Sequence, residues 1–400
     1  MTSRLRTTTL LLSVLASLLL AALPQPASPT AASAPGAPAV RVAGSEIVDA
    51  SGKPLRLLGV DVSGTQDACI QGKGFGWGSL DNVEAASIAT WHADVVRVPL
   101  NEDCWLGING VPAGYSGALY QTAIERWVQA LHGAGIAVIL ELYSAAPGSY
   151  PATGQWPMAD ADHSITFWRQ VSAAFAQDPS VIFDLFNEPF IGRSQPTAAD
   201  WSCWLNGCAT GFAACFAGQP QPCPTVTYQS AGIQQLVGAV RASGSTQPIM
   251  LGGLNWSGDP CGVRDAPPGP GTCAWLRYEP TDPAHQLIDD FHTYNWTACK
   301  DVTCWTESVA PLAAVVPVVT GEFGERNCGS GFVRRYMKWA DQHAVSYLAL
   351  SWQPPVAGSS CKAASLNLLA NWVGAPSVVS PFGQVFSTHL GALARTGALP

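Results

Sequence analysis

Eight short apolar runs punctuate the chain, at residues 55–62, 95–99, 137–143, 181–187, 248–252, 287–294, 315–321 and 345–352. Rich in branched and aromatic residues, they read as strands buried on both faces, the mark of a parallel sheet. Between them, apolar residues recur at the spacing of one helix face at 81–92, 115–134, 164–176, 225–243, 304–314, 331–343 and finally 381–393. Ser79 or Asp81 is positioned to cap the first helix, and Gly133 and Gly135 close the second. Eight strands alternating with helices predict an α/β fold, a single-domain (β/α)8 TIM barrel. Residues 40–56 alternate and turn at Ser51-Gly52, a small hairpin expected to close the barrel floor. A Cys-, Trp- and Gly-rich insertion at 200–224 and a long loop at 255–283 interrupt the pattern.

The run at 181–187 delivers Asn187 and Glu188 at its carboxyl end, where Pro189 stops the ladder. The run at 315–320 is followed by Gly321 and Glu322. Burying an unpaired carboxylate is costly, so two apolar strands that each end in one call for a functional reason. In a barrel that reason is a site on the top face, where Arg97, His292, Tyr294 and Trp352, at other strand ends, would join them. Two carboxyl groups from different strands are what a glycosidase needs, one protonated as acid and one ionised.

Composition narrows the setting. Apolar residues make up 48% and charged residues 12%, enough for a sizeable core and too apolar for a disordered chain. Arg4 and Arg6 precede an apolar run at 10–23 and a stretch of Pro, Ala and Ser, the layout of a secretory signal. Residues 1–39 are therefore read as signal peptide and Ala/Pro-rich leader, cut after Ala34 or Ala39, and 40–400 as the catalytic domain. The net charge of −8 disfavours nucleic acid and anionic membranes as partners. Twelve cysteines, an even number, fit disulfides in an exported protein; Cys69–Cys104, Cys299–Cys304 and Cys328–Cys361 are the preferred pairs. Asp160, Asp162 and His163 cluster like metal ligands but lack a second group, and no metal is expected there.

The ordered set Arg97, Asn187-Glu188-Pro189, His292-x-Tyr294, Gly321-Glu322 and Trp352 resembles glycoside hydrolase family 5. The phrases Asn101-Glu102-Asp103-Cys104-Trp105 and Gly154-Gln155-Trp156-Pro157-Met158 resemble its secreted bacterial cellulase-like members. The likeness runs over about 55–393. It implies a retaining O-glycosyl hydrolase without a cofactor, with Glu188 as acid/base and Glu322 as nucleophile. Arg97, Tyr143, Asn187, His292, Tyr294 and Trp352 would hold or support the sugar. One position departs: Tyr143 ends the third strand where the family usually has His, which bears on the sugar more than on the reaction.

The expected protein is a secreted monomer acting on β-linked polysaccharide, an endo-β-1,4-glucanase first, with no membrane association after signal cleavage. A β-mannanase or an exo-acting β-glycosidase is the alternative. A catalytically silent carbohydrate-binding barrel is the reading from another class, and the intact glutamate pair disfavours it. Trp105, Trp156 and Trp256 are weighed as sugar platforms against loop packing, and Glu325 as a solvated or helix-start charge.

Overall fold

The computed structural model describes residues 36–396 apart from 194, 214–222, 259, 262–272, 370 and 373–379. Its centre is a closed barrel of eight parallel strands. In chain order these are β1 (Leu58–Val62), β2 (Val95–Asn101), β3 (Ala137–Ser144), β4 (Val181–Asp184), β5 (Ile249–Gly252), β6 (Leu287–Tyr294), β7 (Val318–Gly324) and β8 (Ser346–Trp352). Each strand pairs with its sequence neighbour, and β8 returns to β1 with Tyr347 opposite Leu58. Helices cover the outside, and their buried rows of Trp, Phe, Leu and Ile pack on the outward faces of the strands. The fold class is a (β/α)8 TIM barrel, as the alternation of periods predicts.

The floor is sealed by a three-stranded antiparallel sheet of Arg41–Ala43, Glu46–Val48 and Pro54–Leu55. Val40, Ile47 and Leu57 pack against Val95, Ile139, Ile182 and Met250 inside the lower barrel. The leader end is tied down as well: Val40 N donates to Pro179 O at 2.8 Å. Ser180 Oγ donates to Ala37 O at 3.3 Å, and Val42 N to Gln286 Oε1 at 2.7 Å.

Two elements differ from the sequence pattern. The helix read at 225–243 begins later, at Ile233–Ala242, because Thr225–Gln229 is a strand paired antiparallel with Ala209–Ala213. Its Thr-Val-Thr-Tyr alternation is strand chemistry that the following helical period obscured. The insertion also holds a helix, Ala198–Asn206, opened by a capping box between Thr197 and Asp200. The three preferred cysteine pairs are present, joined by Cys203–Cys208 and Cys261–Cys273. No described helix is long and apolar enough to cross a membrane. The apolar run of the leader lies outside the described residues.

Candidate active site

Side chains on the inner barrel wall stack in layers. Val95, Ile139, Ile182, Ile288, Val319 and Leu348 form a lower, apolar layer. Strand alternation points the residues two positions further on in the same direction, so Arg97, Glu141, Asp184 and Asp290 follow as a buried polar layer. Asp61 of β1 joins them, opposite Arg97 in register. Arg97 is the hub. Its Nε and Nη2 donate to Asp184 Oδ2 at 2.9 and 2.7 Å, Nη2 also to Asn187 Oδ1 at 2.9 Å. Nη1 donates to Glu322 Oε1 at 3.0 Å and to Asp61 Oδ1 at 3.3 Å. Glu141 lies 3.2 Å from Nη2. Burial alone would lower the Arg97 pKa, but Glu141, Asp184, Asp290 and Asp61 drive it well above its ordinary value. Burial pushes Glu141 well up and Asp184 to about 7, against the pull of Arg97.

A β-bulge brings Glu322 inward. The β6–β7 register runs Asp290 opposite Val319, then His292 opposite Glu322, so β7 carries one extra residue at Gly321. Gly321 has to be glycine: a Cβ there would lie 2.2 Å from Asp290 Oδ1, which accepts from Gly321 N at 3.1 Å.

Above this layer His292 joins the two glutamates. Its Nδ1 donates to Glu188 Oε1 at 2.9 Å and lies 3.7 Å from Glu322 Oε2, while Nε2 stands 3.0 Å from Asp290 Oδ2. Burial would lower the imidazole pKa, yet Asp290 and Glu322 raise it well above the usual value. One oxygen of Glu188, one of Glu322 and a His292 nitrogen lie within 4.8 Å of one another. Burial, helped by the Glu322 charge, raises the Glu188 carboxyl, against the hydrogen bond from His292. The Tyr294 hydroxyl donates a short hydrogen bond to Glu322 Oε2. Burial first, then the charges of Glu322 and Glu188, push Tyr294 and Tyr143 well above the usual phenol range.

Two cavities meet over this centre. One of about 480 Å3 is walled by Glu188, Trp256, Tyr294 and Trp296. The other, of about 440 Å3, is walled by Gln66, Trp77, Gln353 and Asn367. Both include Tyr143, Glu322, Arg326, Leu350 and Leu366 in their linings, so they form one cleft across the barrel top.

The structure thus brings together Arg97, Asn187, Glu188, His292, Tyr294 and Glu322, with Tyr143 in the shared wall. Trp352 is elsewhere. Straight alternation from Leu348 would aim it into the barrel, but the β8–β1 register shifts between Leu350 and Trp352. That extra residue turns Trp352 outward, 2% exposed, edge-on to Trp91 with ring centroids 4.9 Å apart. Leu350 holds the wall position instead.

Trp105 and Trp156 are buried packing residues, whereas Trp256 lines the cleft, stacked on Phe190 at 5.3 Å. Glu325 is buried and starts a helix, accepting from Phe332 N and Val333 N. Sequence reasoning missed Asp61, Glu141, Asp184 and Asp290. The signal was there, a charge inside each apolar run at the parity of Arg97.

Two groups of described residues could offer three ligands to a metal. In the first, Asp160 Oδ1 accepts from the backbone N–H of Asp162 and His163, and His163 Nε2 donates to Gly148 O. Those bonds clasp a loop and occupy the ring nitrogen. In the second, His292 Nδ1 is held by Glu188 Oε1 and Nε2 faces Asp290 Oδ2 at 3.0 Å, so both ring nitrogens are turned to carboxylates.

A family model for cellulase (glycosyl hydrolase family 5) matches residues 48–355. Endoglucanase E-5 of Thermobifida fusca is 26% identical over 154 residues, which cover 38% of this chain and 28% of that protein. A β-glucanase structure from Saccharophagus degradans superposes with TM-score 0.63 at 18% identity, covering 93% of this chain and 98% of the other. A β-mannanase structure from Streptomyces thermolilacinus with mannohexaose gives 0.57 at 19% identity, covering 89% and 96%. At these identities the superpositions establish the shared barrel.

Proposed function

The chain belongs to glycosyl hydrolase family 5, and from that premise we propose that it cleaves β-linked polysaccharide with retention of configuration, as an endo-β-1,4-glucanase. The observation that carries this reading is the glutamate pair, with one oxygen of each within 4.8 Å. Retention calls for carboxyl groups about 5–5.5 Å apart, whereas inversion leaves about 6.5–9.5 Å for a water.

Glu322 is the nucleophile. Arg97 and Tyr294 both donate to it, which fixes its oxygens beneath the reacting carbon. Glu188 is the acid/base. It is partly exposed to the cleft, its side chain 19% accessible, and its carboxyl is raised by burial and by the charge of Glu322. Glu188 gives its proton to the departing oxygen as Glu322 is esterified by the sugar; the Glu322 charge is then gone, so Glu188 stays ionised and can take a proton from the attacking water. Asn187, anchored by Arg97, and Tyr143 contact the sugar. The leader at 1–39 directs export and leaves a monomeric catalytic domain.

A cleft that continues on both sides of the pair supports internal attack on a chain. Tyr143 and the likeness to a mannanase structure favour β-mannan as the second reading. A product-resolved screen on carboxymethylcellulose, glucomannan, mannan, xyloglucan and laminarin tests the assignment. Mixed oligosaccharides from glucan are expected. Mannan cleavage alone would move the assignment to the second reading, release of monosaccharide alone would make the enzyme exo-acting, and inertness on all five would sink it.

A further inference from the structure

Arg326 is the second arginine of the cleft and differs from Arg97 in every physical respect. Arg97 is buried and ringed by carboxylates. Arg326 is exposed, lines both cavities, and its guanidinium forms no ion pair within 4.0 Å among the described residues. Its position is nonetheless built. The backbone N–H of Arg326 donates to Asn295 Oδ1 at 3.0 Å. Its guanidinium lies 4.4 Å above the ring of Trp296, which is stacked in turn on Tyr294 at 4.3 Å. A stacked guanidinium keeps its in-plane N–H donors directed sideways, where a planar anion can take two of them. The other charged side chain of the shared wall is Glu322, and Arg97 below it is already ringed by carboxylates, so Arg326 is the cation of this wall that an anionic glycan could meet.

We propose that Arg326 is a specificity-determining residue that recognises a carboxylate carried by the glycan, such as that of a uronic acid, next to the cleaved bond. The proposal rests on the β-glycanase reading above and adds a substrate class to it: acid-substituted β-glycan. The stack holds the cation in place before binding, so less side-chain freedom is lost when the carboxylate arrives.

The test uses two soluble derivatives of one backbone, anionic carboxymethylcellulose and neutral hydroxyethylcellulose. Affinity electrophoresis of the Glu322→Gln protein through gels containing each glycan measures binding, beside hydrolysis by the unaltered enzyme. Adding Arg326→Gln should weaken retardation by the carboxymethyl glycan on the order of tenfold more than by the neutral one. Arg326→Lys should recover part of that difference, and added salt should shrink it. Equal losses on both glycans would overturn the proposal, because Arg326 would then merely support the Trp296 platform. Retardation by neither glycan would overturn it too. Hydrolysis by the unaltered enzyme reports separately on the glycanase reading, which survives equal losses.

Discussion

Arg97 and Glu322 stand 225 residues apart in sequence and 3.0 Å apart in space, Nη1 to Oε1. The same guanidinium holds Asp184 and Asn187, so one side chain fixes the glutamate of β7 and the polar end of the run that begins with β4. Arg97→Lys keeps the charge but loses the fork that serves four hydrogen-bond partners. It should lower kcat more than it raises KM, and Arg97→Met should cost roughly 3–5 kcal/mol by leaving buried acids uncompensated. Urea unfolding and steady-state kinetics on the two variants measure both effects.

The glutamates should fail in different ways. Glu188→Ala should lose about 10²–10⁴-fold on natural glycans yet keep activity on substrates with good leaving groups. Added azide should rescue it and give a β-azide product. Glu322→Ala should be nearly inactive on every substrate, with azide yielding at most an α-azide. Proton NMR of the first product from the unaltered enzyme should show the β anomer; an α anomer would mean inversion.

Tyr143 lies in the wall that both halves of the cleft share. Tyr143→Phe removes a hydroxyl that does not titrate in the working range. The expected result is a change in KM or in the glucan-to-mannan ratio with an unaltered pH profile. A loss as deep as that of Glu322→Ala would contradict this role.

Trp352 is predicted to act through packing. Trp352→Ala should cost about 3–5 kcal/mol by opening a void beside Trp91, with KM little changed for whatever fraction stays folded. Leu350→Trp should do the reverse, changing KM with a smaller effect on stability. Thermal unfolding together with kinetics separates the two.

Asp289 is a fully buried acid on the helix-facing side of β6, and neither of its oxygens has a hydrogen-bond partner among the described residues. Burial, and then the charge of Asp290, raise its pKa well above the usual value. The folded state holds the proton that the unfolded chain gives up above about pH 4. Stability from this group is therefore whole below about pH 4 and falls as pH rises toward the folded-state pKa. Asp289→Asn cannot ionise, so its melting temperature should exceed that of the parent at pH 8, and the gap should close near pH 4. A constant gap in calorimetry would exclude the titration.

The barrel was legible because its strands keep one rule, an apolar run that ends in a turn or a functional residue. The run at 287–294 matches β6 residue for residue. Runs at 55–62 and 315–321 overran because Leu55 pairs with the floor sheet and Pro317 precedes the first paired residue of β7. The positions of Glu322 and Trp352 depend on something the pattern does not contain. One inserted residue in β7 turns Glu322 inward, and one in β8 turns Trp352 outward. Side-chain direction reverses with each such insertion, while composition and spacing stay the same. The acids around Arg97 were hidden for another reason: a charge inside an apolar run says nothing of its partner until the strands close into a ring.

The tether at the floor bears on where a leader peptidase could cut the chain. Val40 is 2% exposed and its backbone N–H is committed to Pro179 O at 2.8 Å. A peptidase cutting after Ala39 would turn that amide into an ammonium group inside a nearly dry pocket, and would discard the Ala37 carbonyl that Ser180 grips. A cut after Ala34 would remove none of the residues that make these bonds. Were the chain cut at either small-residue site, the bonds at the floor would favour the earlier one, and residues 36–39 would stay behind as a gasket for the barrel.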